Sequence, residues 1–387
     1  MLFREFSVLY QEEVSVRPFG NIKWTRRKWI AIVSVILLCC ILAACGVFSD
    51  IIRGSSFLWR AAHGSPAVIT LSGNPAESGR IHGRKLKFGI QLLEKYYLGS
   101  LAAGQGRELL FQRADNLFQN IDPRWNTEIT ALAEAACVDP RAMKFGNCFL
   151  DLGRFPVGCR QILRVLPDGR TFHAHNLDWD GLAGIGQHWI TVFRVPGGEG
   201  RLPTVYLGFS GMIGALDVIN SAGVALSFNQ LGSSRQESEM PVFLRMREIA
   251  ETSSDFDGAE EAILSMPPGM PFVIGLSDAK SGRIAVYERN SSGVVRKRVP
   301  VDGLLTADNS PQSQKNAPPD TGTEHAARDA LPLDSPEAVQ AVLRDSRVLM
   351  ANNMYSVIFD FQANCFYLAS GEIPAAAGEY RVYPLFE

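Results

Sequence analysis

The stretch GCRQILRVLPDGRTFHAHNLDWD, residues 158–180, decides which fold the sequence predicts. Two largely apolar runs flank Asp168-Gly169, and an Asp-Gly pair in that setting is typical of a two-residue β-hairpin turn. If these are the two central residues of the turn, Cys159 lies directly opposite Asp178 on the paired strand. Side chains in directly opposite positions have Cβ atoms about 4.5–5.5 Å apart. The predicted hairpin therefore brings a carboxylate to a cysteine.

Because side chains alternate between the two faces of a strand, the other polar residues of the second strand can be assigned to one face or the other. Asn176 is predicted on the Cys159 face, and His173 and His175 on the opposite face. In this register no histidine reaches the thiol. A β-bulge would shift the pairing by one residue and bring His175 inward.

A carboxylate beside a cysteine raises the pKa of the thiol, so this pair makes chemical sense only with a positive group between them. Cleavage of the Gly158–Cys159 bond would create one, an α-amino group with a pKa of about 7.7–8.0. Asp178 would orient that amine, which in its neutral form accepts the thiol proton. Gly158 suits a scissile position because glycine adopts backbone angles closed to other residues. Cys159 is the predicted nucleophile, activated as a new N-terminus.

The rest of the chain divides at Pro156 into a helical part and a part rich in strands. Residues 76–149 have helical periodicity, and short strand-like runs separated by turn signals follow. This pattern favours an α+β layered fold. The predicted helices include 108–120, 125–137, 243–250, 257–266 and 335–345, and 311–327 is predicted as a polar surface loop. The predicted strands are 161–166, 171–179, 189–195, 204–208, 215–219, 224–229, 271–277, 283–288, 355–359 and 365–369.

Composition and motifs exclude several classes of function. The net charge of the 387 residues is −2, which leaves no basic footprint for nucleic acid. Neither GxxxxGK[ST] nor GxGxxG occurs, and no CxxC or Cys/His cluster indicates zinc. We therefore expect no cofactor and no metal. Cys137 and Cys148 either form a disulfide or remain two buried thiols.

The N-terminus predicts export or membrane attachment. Lys23 and the basic residues 26–28 precede WIAIVSVILLCCILAACGVF, residues 29–48, which is about long enough to span a bilayer. The run ends in Leu-Ala-Ala-Cys, which resembles a bacterial lipobox with Cys45 as the lipidated residue. A cleaved lipoprotein signal and an uncleaved signal anchor both stay open. Either one places the globular part outside the cytoplasm.

The segments GCRQ and DGRTFHAHNLDWD resemble the N-terminal-nucleophile hydrolases of the penicillin acyltransferase (C45 peptidase) family, and more distantly acid ceramidases and bile-salt hydrolases. These families share a cysteine followed by a strand, a turn and a strand that ends in N-[LMW]-D. The resemblance implies a four-layer αββα sandwich of antiparallel sheets after a helical segment. Further similar segments are SGNPAESGRIHGRKL, TEITALAEAACV, MIGALDVINSAGVALSFNQL, LLTADNSP and HAARDAL.

The resemblance also implies roles for residues distant in sequence. Cys159 attacks an amide or ester carbonyl, and Asn229, or else Asn309, stabilises the oxyanion. Losing one such donor raises the barrier by about 2.7–4 kcal/mol. Arg328 neutralises Asp178 or binds a substrate carboxylate.

This chain departs from its relatives at positions that bear on the choice of substrate. Arg160 follows the nucleophile where many relatives have Thr, and His175 stands where bile-salt hydrolases and ceramidases have Arg. We regard Arg160, His175 and Asn176 as possible substrate-binding residues. Ala307-Asp308-Asn309 replaces the TNH or TNN type of motif.

The leading functional hypothesis is an exported hydrolase or acyltransferase that acts on amide bonds of small N-acylated substrates. It divides the chain into a signal or anchor (1–48), an α segment (49–158) and a catalytic β segment (159–387), with the two fragments staying associated. One alternative is a conventional Cys–His hydrolase that needs no cleavage. Another is a non-catalytic surface lipoprotein that uses the same fold to bind ligands.

Overall fold

The computed structural model describes residues 54–99, 106–152, 157–179, 186–231, 239–267, 269–310 and 322–386. All of them lie in the second of the two units into which the chain divides, 52–387. The basic flank, the apolar run 29–48 and Cys45 lie outside the described residues, so the prediction of a signal or anchor stays a prediction. In the part that is described, no helix is long and apolar enough to cross a membrane.

Helices fill most of the described chain before the hairpin, as the periodicity predicts. Three of them begin at a proline preceded by a capping side chain: Asn74 accepts the backbone N–H of Glu77, Asp122 that of Arg124, and Asp139 that of Arg141. The bounds are α1 Pro75–Leu92, continued by the π-helical Leu93–Leu98, α2 Arg107–Gln119, α3 Pro123–Ala136 and α4 Pro140–Leu152.

Within the described ranges, an eight-stranded sheet has the order β1-β4-β5-β6-β7-β8-β9-β10. β1 pairs in parallel with β4, and the other neighbours are antiparallel. The helical N-terminal segment therefore supplies one edge of this sheet. The strands are β1 Ala67–Thr70, β4 Ile190–Val195, β5 Thr204–Phe209, β6 Asp217–Asn220, β7 Val224–Gln230, β8 Phe272–Asp278, β9 Arg283–Asn290 and β10 Gly293–Arg298.

A second sheet carries the nucleophile hairpin and has, among the described strands, the order β11-β2-β3-β12-β13-β14. All of its neighbours are antiparallel. β2 and β3 lie in the interior of the sheet, so β3 is buried along its whole length. The strands are β2 Val157–Val165, β3 Thr171–Trp179, β11 Leu304–Ala307, β12 Asn353–Asp360, β13 Cys365–Ser370 and β14 Arg381–Pro384.

The two sheets pack face to face, and helices cover their outer surfaces. α5 (Val242–Thr252) lies on β5, β6 and β7, and α6 (Phe256–Leu264) lies on β8 and β10. On the other sheet, α7 (Gly322–Asp329) lies on β2 and β11, and α8 (Pro336–Leu343) lies on β3 and β12. The expected four-layer αββα sandwich is confirmed. The polar segment predicted as a loop at 311–327 is helical from Gly322 onward.

The hairpin between β2 and β3 has a different turn from the predicted one. Gly169 adopts a φ of 88°, and Leu166 pairs with Arg170 around it, so Pro167, Asp168 and Gly169 form a three-residue loop. The register is therefore shifted by one residue. Cys159 pairs with Leu177, and Asp178 pairs with Gly158.

This shift overturns the predicted sorting of side chains, because a slip by one residue moves a strand's side chains to the other face. His173 and His175 lie on the same face as Cys159. Asn176 and Asp178 lie on the other face, with Asn176 Nδ2 donating to the carbonyl oxygen of Leu343 over 3.1 Å. Asn176 accordingly contacts α8 and does not face the thiol.

The question of a disulfide is settled for the described cysteines. Cys137 and Cys148 are both free thiols, the first exposed at the end of α3 and the second buried in α4. No Cys137–Cys148 disulfide forms.

Candidate active site

Cys159 is buried between the two sheets, with 0% of its surface exposed. Gln161 shares its face on β2, and Leu177 and His175 share it on β3. His175 and Gln161 both reach across to the eight-stranded sheet, where they bond Asp217 on β6 and Asn229 on β7. The thiol therefore lies at the edge of a buried polar layer that joins the sheets.

The side chain that couples to the Cys159 thiol is the imidazole of His175. Its Nδ1 lies 2.9 Å from Oδ2 and 2.8 Å from Oδ1 of Asp217. Asp217 is fully buried and also accepts hydrogen bonds from the hydroxyls of Ser227 and Tyr355. Because Asp217 occupies Nδ1, it leaves Nε2 as the ring nitrogen available to the thiol. The order Asp217, His175, Cys159 is that of an oriented base beside a nucleophile.

The two histidines of β3 differ in their pKa and therefore in their charge. Burial alone would lower the pKa of His175, but the charges of Asp217 and Cys159, with their hydrogen bonds, raise it to about 10. His173 bonds Ser277 and Ser227, each over 2.8 Å, and burial lowers its pKa to about 3. His175 is thus held as a cation, whereas His173 is neutral. Burial raises the pKa of the Cys159 thiol, and the neighbouring His175 opposes that rise.

Two asparagines hold the backbone of Cys159, as the resemblance implied they would lie at the site. Asn309 Oδ1 accepts the amide N–H of Cys159 over 2.6 Å, while its Nδ2 donates to the carbonyl oxygen of Gln230. Asn229 Nδ2 lies 3.5 Å from the Cys159 carbonyl oxygen. Asn229 therefore presents a donor at the nucleophile, and Asn309 presents an acceptor to its nitrogen.

Arg160 also points back to the nucleophile. Its Nη1 donates to the Cys159 carbonyl oxygen over 2.8 Å and lies 3.4 Å from Asn309 Oδ1. The side chain is partly exposed. A guanidinium at the edge of the site can bind a carbonyl or carboxylate group.

Gln161 orients Asn229, and sequence analysis gave no sign of this. Its Nε2 donates to Asn229 Oδ1 over 2.5 Å, which leaves the Asn229 amide hydrogens facing Cys159. Room for Gln161 comes from Gly275 on β8, where a Cβ would stand 2.0 Å from Gln161 Oε1. A side chain at position 275 would displace the amide that fixes the donor.

Asp178 lies beside the predicted scissile residue, although not opposite the thiol. A Cβ on Gly158 would stand 3.0 Å from Asp178 Cβ and 3.4 Å from Oδ2. Asp178 Oδ1 accepts a hydrogen bond from Asn353 over 3.0 Å. Gly158 lies in an extended strand without a positive φ, so backbone conformation does not require glycine there. What glycine provides at this position is space for the Asp178 side chain.

Arg328 does not pair with Asp178. It lies on α7 and forms an ion pair with Glu324 over 2.8 Å, with 35% of its side chain exposed. The proposed neutralisation of Asp178 by Arg328 is therefore wrong. Among the described side chains, no group of three or more His, Cys, Asp or Glu residues is arranged to hold a metal ion.

Like Gln161, Asp217 was missed by sequence analysis. It stands in LDVIN, where a carboxylate interrupts an apolar strand that becomes fully buried. A buried carboxylate needs a charged or hydrogen-bonding partner. That rule signals a polar site at β6, but only the packing of the sheets identifies His175 as the partner.

A narrow apolar cleft lies next to this site. Trp179, two residues beyond Leu177 on the same face of β3, lines it together with Leu216, the neighbour of Asp217. Its other walls come from both sides of the predicted cut, including Tyr97, Met143 and Phe149 from before it and Phe209 and Phe243 from after it. The cleft is suited to an apolar group on a substrate.

Comparison with known families bears on residues 165–318, which match the family model described as acyl-coenzyme A:6-aminopenicillanic acid acyl-transferase. The match begins within the hairpin, just after Cys159, and includes His175, Asp178, Asp217 and Asn229. The fold and this match define an enzyme of the N-terminal-nucleophile type, an amidohydrolase or acyltransferase. Within that class, the chain is similar to the penicillin acyltransferase (C45 peptidase) family, so the resemblance seen in the sequence is confirmed.

Similarity to other proteins is distant. No curated protein matches the sequence. Among solved structures, an N-acylethanolamine-hydrolyzing acid amidase ortholog from Caenorhabditis elegans is 16% identical with a TM-score of 0.43, covering 59% of this chain and 100% of that one. A variant of conjugated bile acid hydrolase from Clostridium perfringens is 11% identical with a TM-score of 0.39, covering 58% of this chain and 92% of that one.

Proposed function

We propose that the protein is an amide hydrolase or acyltransferase that activates itself by cutting its own chain between Gly158 and Cys159. The observation that carries this proposal is the set of contacts around Cys159. Its amide nitrogen is held by Asn309, its carbonyl oxygen faces Asn229, and its thiol couples to His175. The nitrogen that would leave in the cut and the thiol that would attack therefore each have a partner.

After the cut, the nitrogen of Cys159 becomes an α-amine. Asn309 Oδ1 is in position to keep a hydrogen bond to that amine, and the Asp178 carboxylate stands beside the vacated Gly158 position. In its neutral form the amine accepts the thiol proton, and the thiolate attacks the substrate carbonyl. The Asn229 amide then donates to the oxyanion that develops.

The substrates we propose are small N-acylated amides with an apolar acyl group. The cleft beside Trp179 and Leu216 supports an apolar acyl group. Arg160, half-exposed at the edge of the site, suits a polar or acidic leaving group. N-acyl amino acids, N-acyl homoserine lactones, lipid amides and small peptides share this chemistry. Acyl-CoA is scarce outside the cytoplasm, so an exported enzyme would favour hydrolysis over transfer from CoA.

The two fragments would stay associated after the cut. β1, which precedes the cut, pairs with β4, which follows it. Arg247 bonds Glu128 of α3 over 2.8 Å in a buried ion pair, and Trp189 Nε1 donates to the carbonyl oxygen of Gly89 over 2.7 Å. A fragment that completes a sheet and a buried ion pair cannot leave without exposing both.

We also propose that the N-terminal segment attaches the enzyme to the outer side of a membrane. The basic flank, the apolar run 29–48 and the lipobox-like Cys45 support attachment. Cys45→Ala should release the protein from the membrane fraction if Cys45 is lipidated. Attachment that survives this substitution would instead indicate an uncleaved anchor.

A second candidate is a hydrolase that uses Cys159, His175 and Asp217 without any cut. The observation that favours it is the position of His175, bonded to Asp217 on the Cys159 face of the hairpin, which the predicted hairpin register did not provide. The two candidates share a nucleophile and differ in whether the chain must break.

One experiment separates the candidates. Wild type and Cys159→Ala are purified and examined by denaturing gel, intact mass and N-terminal sequencing of the larger fragment. The proposed function requires two fragments, the larger beginning at Cys159, and one uncut chain in the variant. An uncut wild type that hydrolyses N-acyl anilides would establish the second candidate instead.

A further inference from the structure

The base proposed for turnover does not exist before the chain is cut. In the intact chain the nitrogen of Cys159 belongs to a peptide bond, and it donates its N–H to Asn309. An amide nitrogen accepts no proton from a thiol. The first cut therefore needs a different proton acceptor at Cys159.

His175 is placed to be that acceptor. It lies on the Cys159 face of the hairpin, two residues along β3 from Leu177, the residue that pairs with Cys159, and its pKa responds to both the charge and the hydrogen bond of Cys159. Asp217 binds Nδ1 and so leaves Nε2 to the thiol. The Tyr355 hydroxyl and the Ser227 hydroxyl fix Asp217 in turn. The ring is held by a buried carboxylate that is itself held on two sides.

We propose that His175, oriented by Asp217, is the catalytic base and acid of self-cleavage. This inference rests on the proposed function. In its neutral form, which gains population as pH rises, His175 takes the proton from Cys159 Sγ at Nε2, and the thiolate attacks the carbonyl carbon of Gly158. The Gly158–Cys159 C–N bond breaks as His175 returns the proton to the departing nitrogen. The product is a thioester between the Gly158 carbonyl and Sγ, beside a free α-amine.

Water completes the reaction. One water molecule hydrolyses the thioester, which leaves a carboxylate on Gly158 and a free thiol on Cys159, so no reactant besides water is consumed. The new amine then stands where the amide nitrogen stood, against Asn309 Oδ1. His175 serves the step that creates the amine, and the amine is then available for turnover.

His173 provides a matched control within the same strand. It lies two residues before His175 on the same face and is equally buried. Both of its ring nitrogens are bonded, to Ser277 and Ser227, so neither is available to the thiol. His173→Gln removes a buried imidazole without removing the proposed base.

The experiment follows the cut in freshly made protein. Wild type, His175→Gln, His173→Gln and Cys159→Ala are synthesised in a cell-free system with a radiolabel pulse and moved to buffers between about pH 5 and about pH 10. Cleavage is measured by gel and intact mass. We expect His175→Gln to cut at least ~100-fold more slowly than wild type, as for the loss of a general base, and His173→Gln to cut at a rate within a few-fold of wild type.

The pH profile of cleavage in Asp217→Asn distinguishes a role in proton transfer from a purely structural role, because a structural role would not shift the profile along the pH axis. The groups that face the Cys159–His175 pair are Asp217 from β6, Tyr355 from β12 and His173 from β3, and Asp178 acts on the thiol through its charge from the other face of β3. Removal of the Asp217 charge lowers the pKa of both members of the pair. The limb of the profile where the cleavage rate rises with pH should therefore move to lower pH, with a smaller maximum. A slower cut with an unmoved limb would overturn the proposed role of the pair.

The remaining outcomes separate this inference from the proposed function. If wild type cuts, Cys159→Ala does not, and His175→Gln cuts as fast as wild type, then His175 is not the base although the proposed function stands. If wild type never cuts, the proposed function itself fails. Thermal unfolding of both histidine variants in the uncut Cys159→Ala background, at the pH of the cleavage assay, reports whether a slow cut comes from a damaged fold. A His175→Gln substitution that leaves the chain folded at the assay temperature, as His173→Gln does, and yet prevents the cut supports the inference.

Discussion

Asp178 lies directly opposite Gly158, with its carboxylate oxygen Oδ2 3.4 Å from the point where a Cβ on Gly158 would stand. The Cβ atoms themselves would be 3.0 Å apart, which is closer than ordinary contact allows. Any side chain at position 158 therefore pushes Asp178 away from the bond that we propose is cut. The relationship explains why glycine precedes the nucleophile without any appeal to unusual backbone angles.

We predict that Gly158→Ala slows self-cleavage and that Gly158→Val slows it further, since the larger side chain displaces Asp178 more. The measurement is the half-time of fragment appearance after a radiolabel pulse. Gly158→Ala combined with Asp178→Gly removes the Cβ that the new Cβ meets, so the effect of the alanine should be smaller in that background than alone. Equal effects in both backgrounds would contradict the steric explanation.

Asn229 should matter for the chemical step more than for substrate binding. Its Nδ2 faces the Cys159 carbonyl, and Gln161 holds the other end of the amide. We expect Asn229→Ala to lower kcat by about 10²–10³-fold with a smaller change in KM, as for the loss of one oxyanion donor. Cut enzyme and a series of chromogenic N-acyl anilides provide the measurement.

The control for Asn229 is Asn364→Gly, which removes an exposed amide that bonds the backbone of Phe386, and glycine suits the φ of 51° at this position. Its kcat should stay within about twofold of wild type, since Asn364 lies in the turn between β12 and β13, outside the Cys159 site. If Asn229→Ala raises KM and leaves kcat unchanged, Asn229 serves substrate binding and not the chemical step.

The two histidines of β3 should give opposite dependences of stability on pH. The pKa of His175 is raised to about 10, so its contribution is fully present below its ordinary value of 6.5 and is lost as pH rises toward 10. The pKa of His173 is lowered to about 3, so its contribution is present above 6.5 and is lost as pH falls toward 3. These windows do not overlap.

We therefore expect the destabilisation by His175→Gln to shrink toward alkaline pH and that by His173→Gln to shrink toward acid pH. Both are measured as Tm differences in the uncut Cys159→Ala background, which keeps the samples homogeneous. That background removes the part of the rise in the His175 pKa that comes from Cys159 and keeps the larger part from Asp217, so the loss of the His175 contribution should begin at lower pH than in the parent chain. Parallel trends in the two variants would mean that the charge on His175 is not held by Asp217.

The strands of the nucleophile hairpin could be predicted from the sequence, but its register could not. Apolar runs on both sides of Asp168-Gly169 specify a hairpin and place its strands within a few residues of those observed. The same dipeptide fits a two-residue turn and a three-residue loop ending in Gly169. Nothing local distinguishes the two, yet the difference decides whether Asp178 or His175 faces the thiol.

Among the site residues that come from distant strands, some could also be predicted from the sequence and one could not. Asn229 and Asn309 were found through resemblance, and both contact Cys159. Asp217 was missed because its partner, His175, belongs to the other sheet, and only sheet packing joins them. Arg328 shows the opposite error. Its position in the sequence suggested a place at the site, but in the structure it forms a partly exposed ion pair with Glu324.

A last prediction concerns what keeps the two proposed fragments together. Arg247, on α5, is 3% exposed and bonds Glu128 of α3 over 2.8 Å and Glu251 over 2.7 Å. Arg247→Met leaves buried carboxylates without this partner, and breaking such a pair is destabilising by about 3–5 kcal/mol. Denaturant unfolding of the uncut Cys159→Ala chain measures the loss, and gel filtration of the cut enzyme shows whether the smaller fragment is still bound.

The matched control is Arg283→Met, which breaks a 2.7 Å ion pair with Asp257 whose side chains are 44% and 76% exposed. Water screens that pair, so its loss should change the free energy of unfolding by at most about 1 kcal/mol and leave the fragments associated. The two variants remove the same chemical group from pairs of similar length. If they destabilise the chain equally, burial of the Arg247 network does not hold the fragments, and the parallel pairing of β1 with β4 must carry the association.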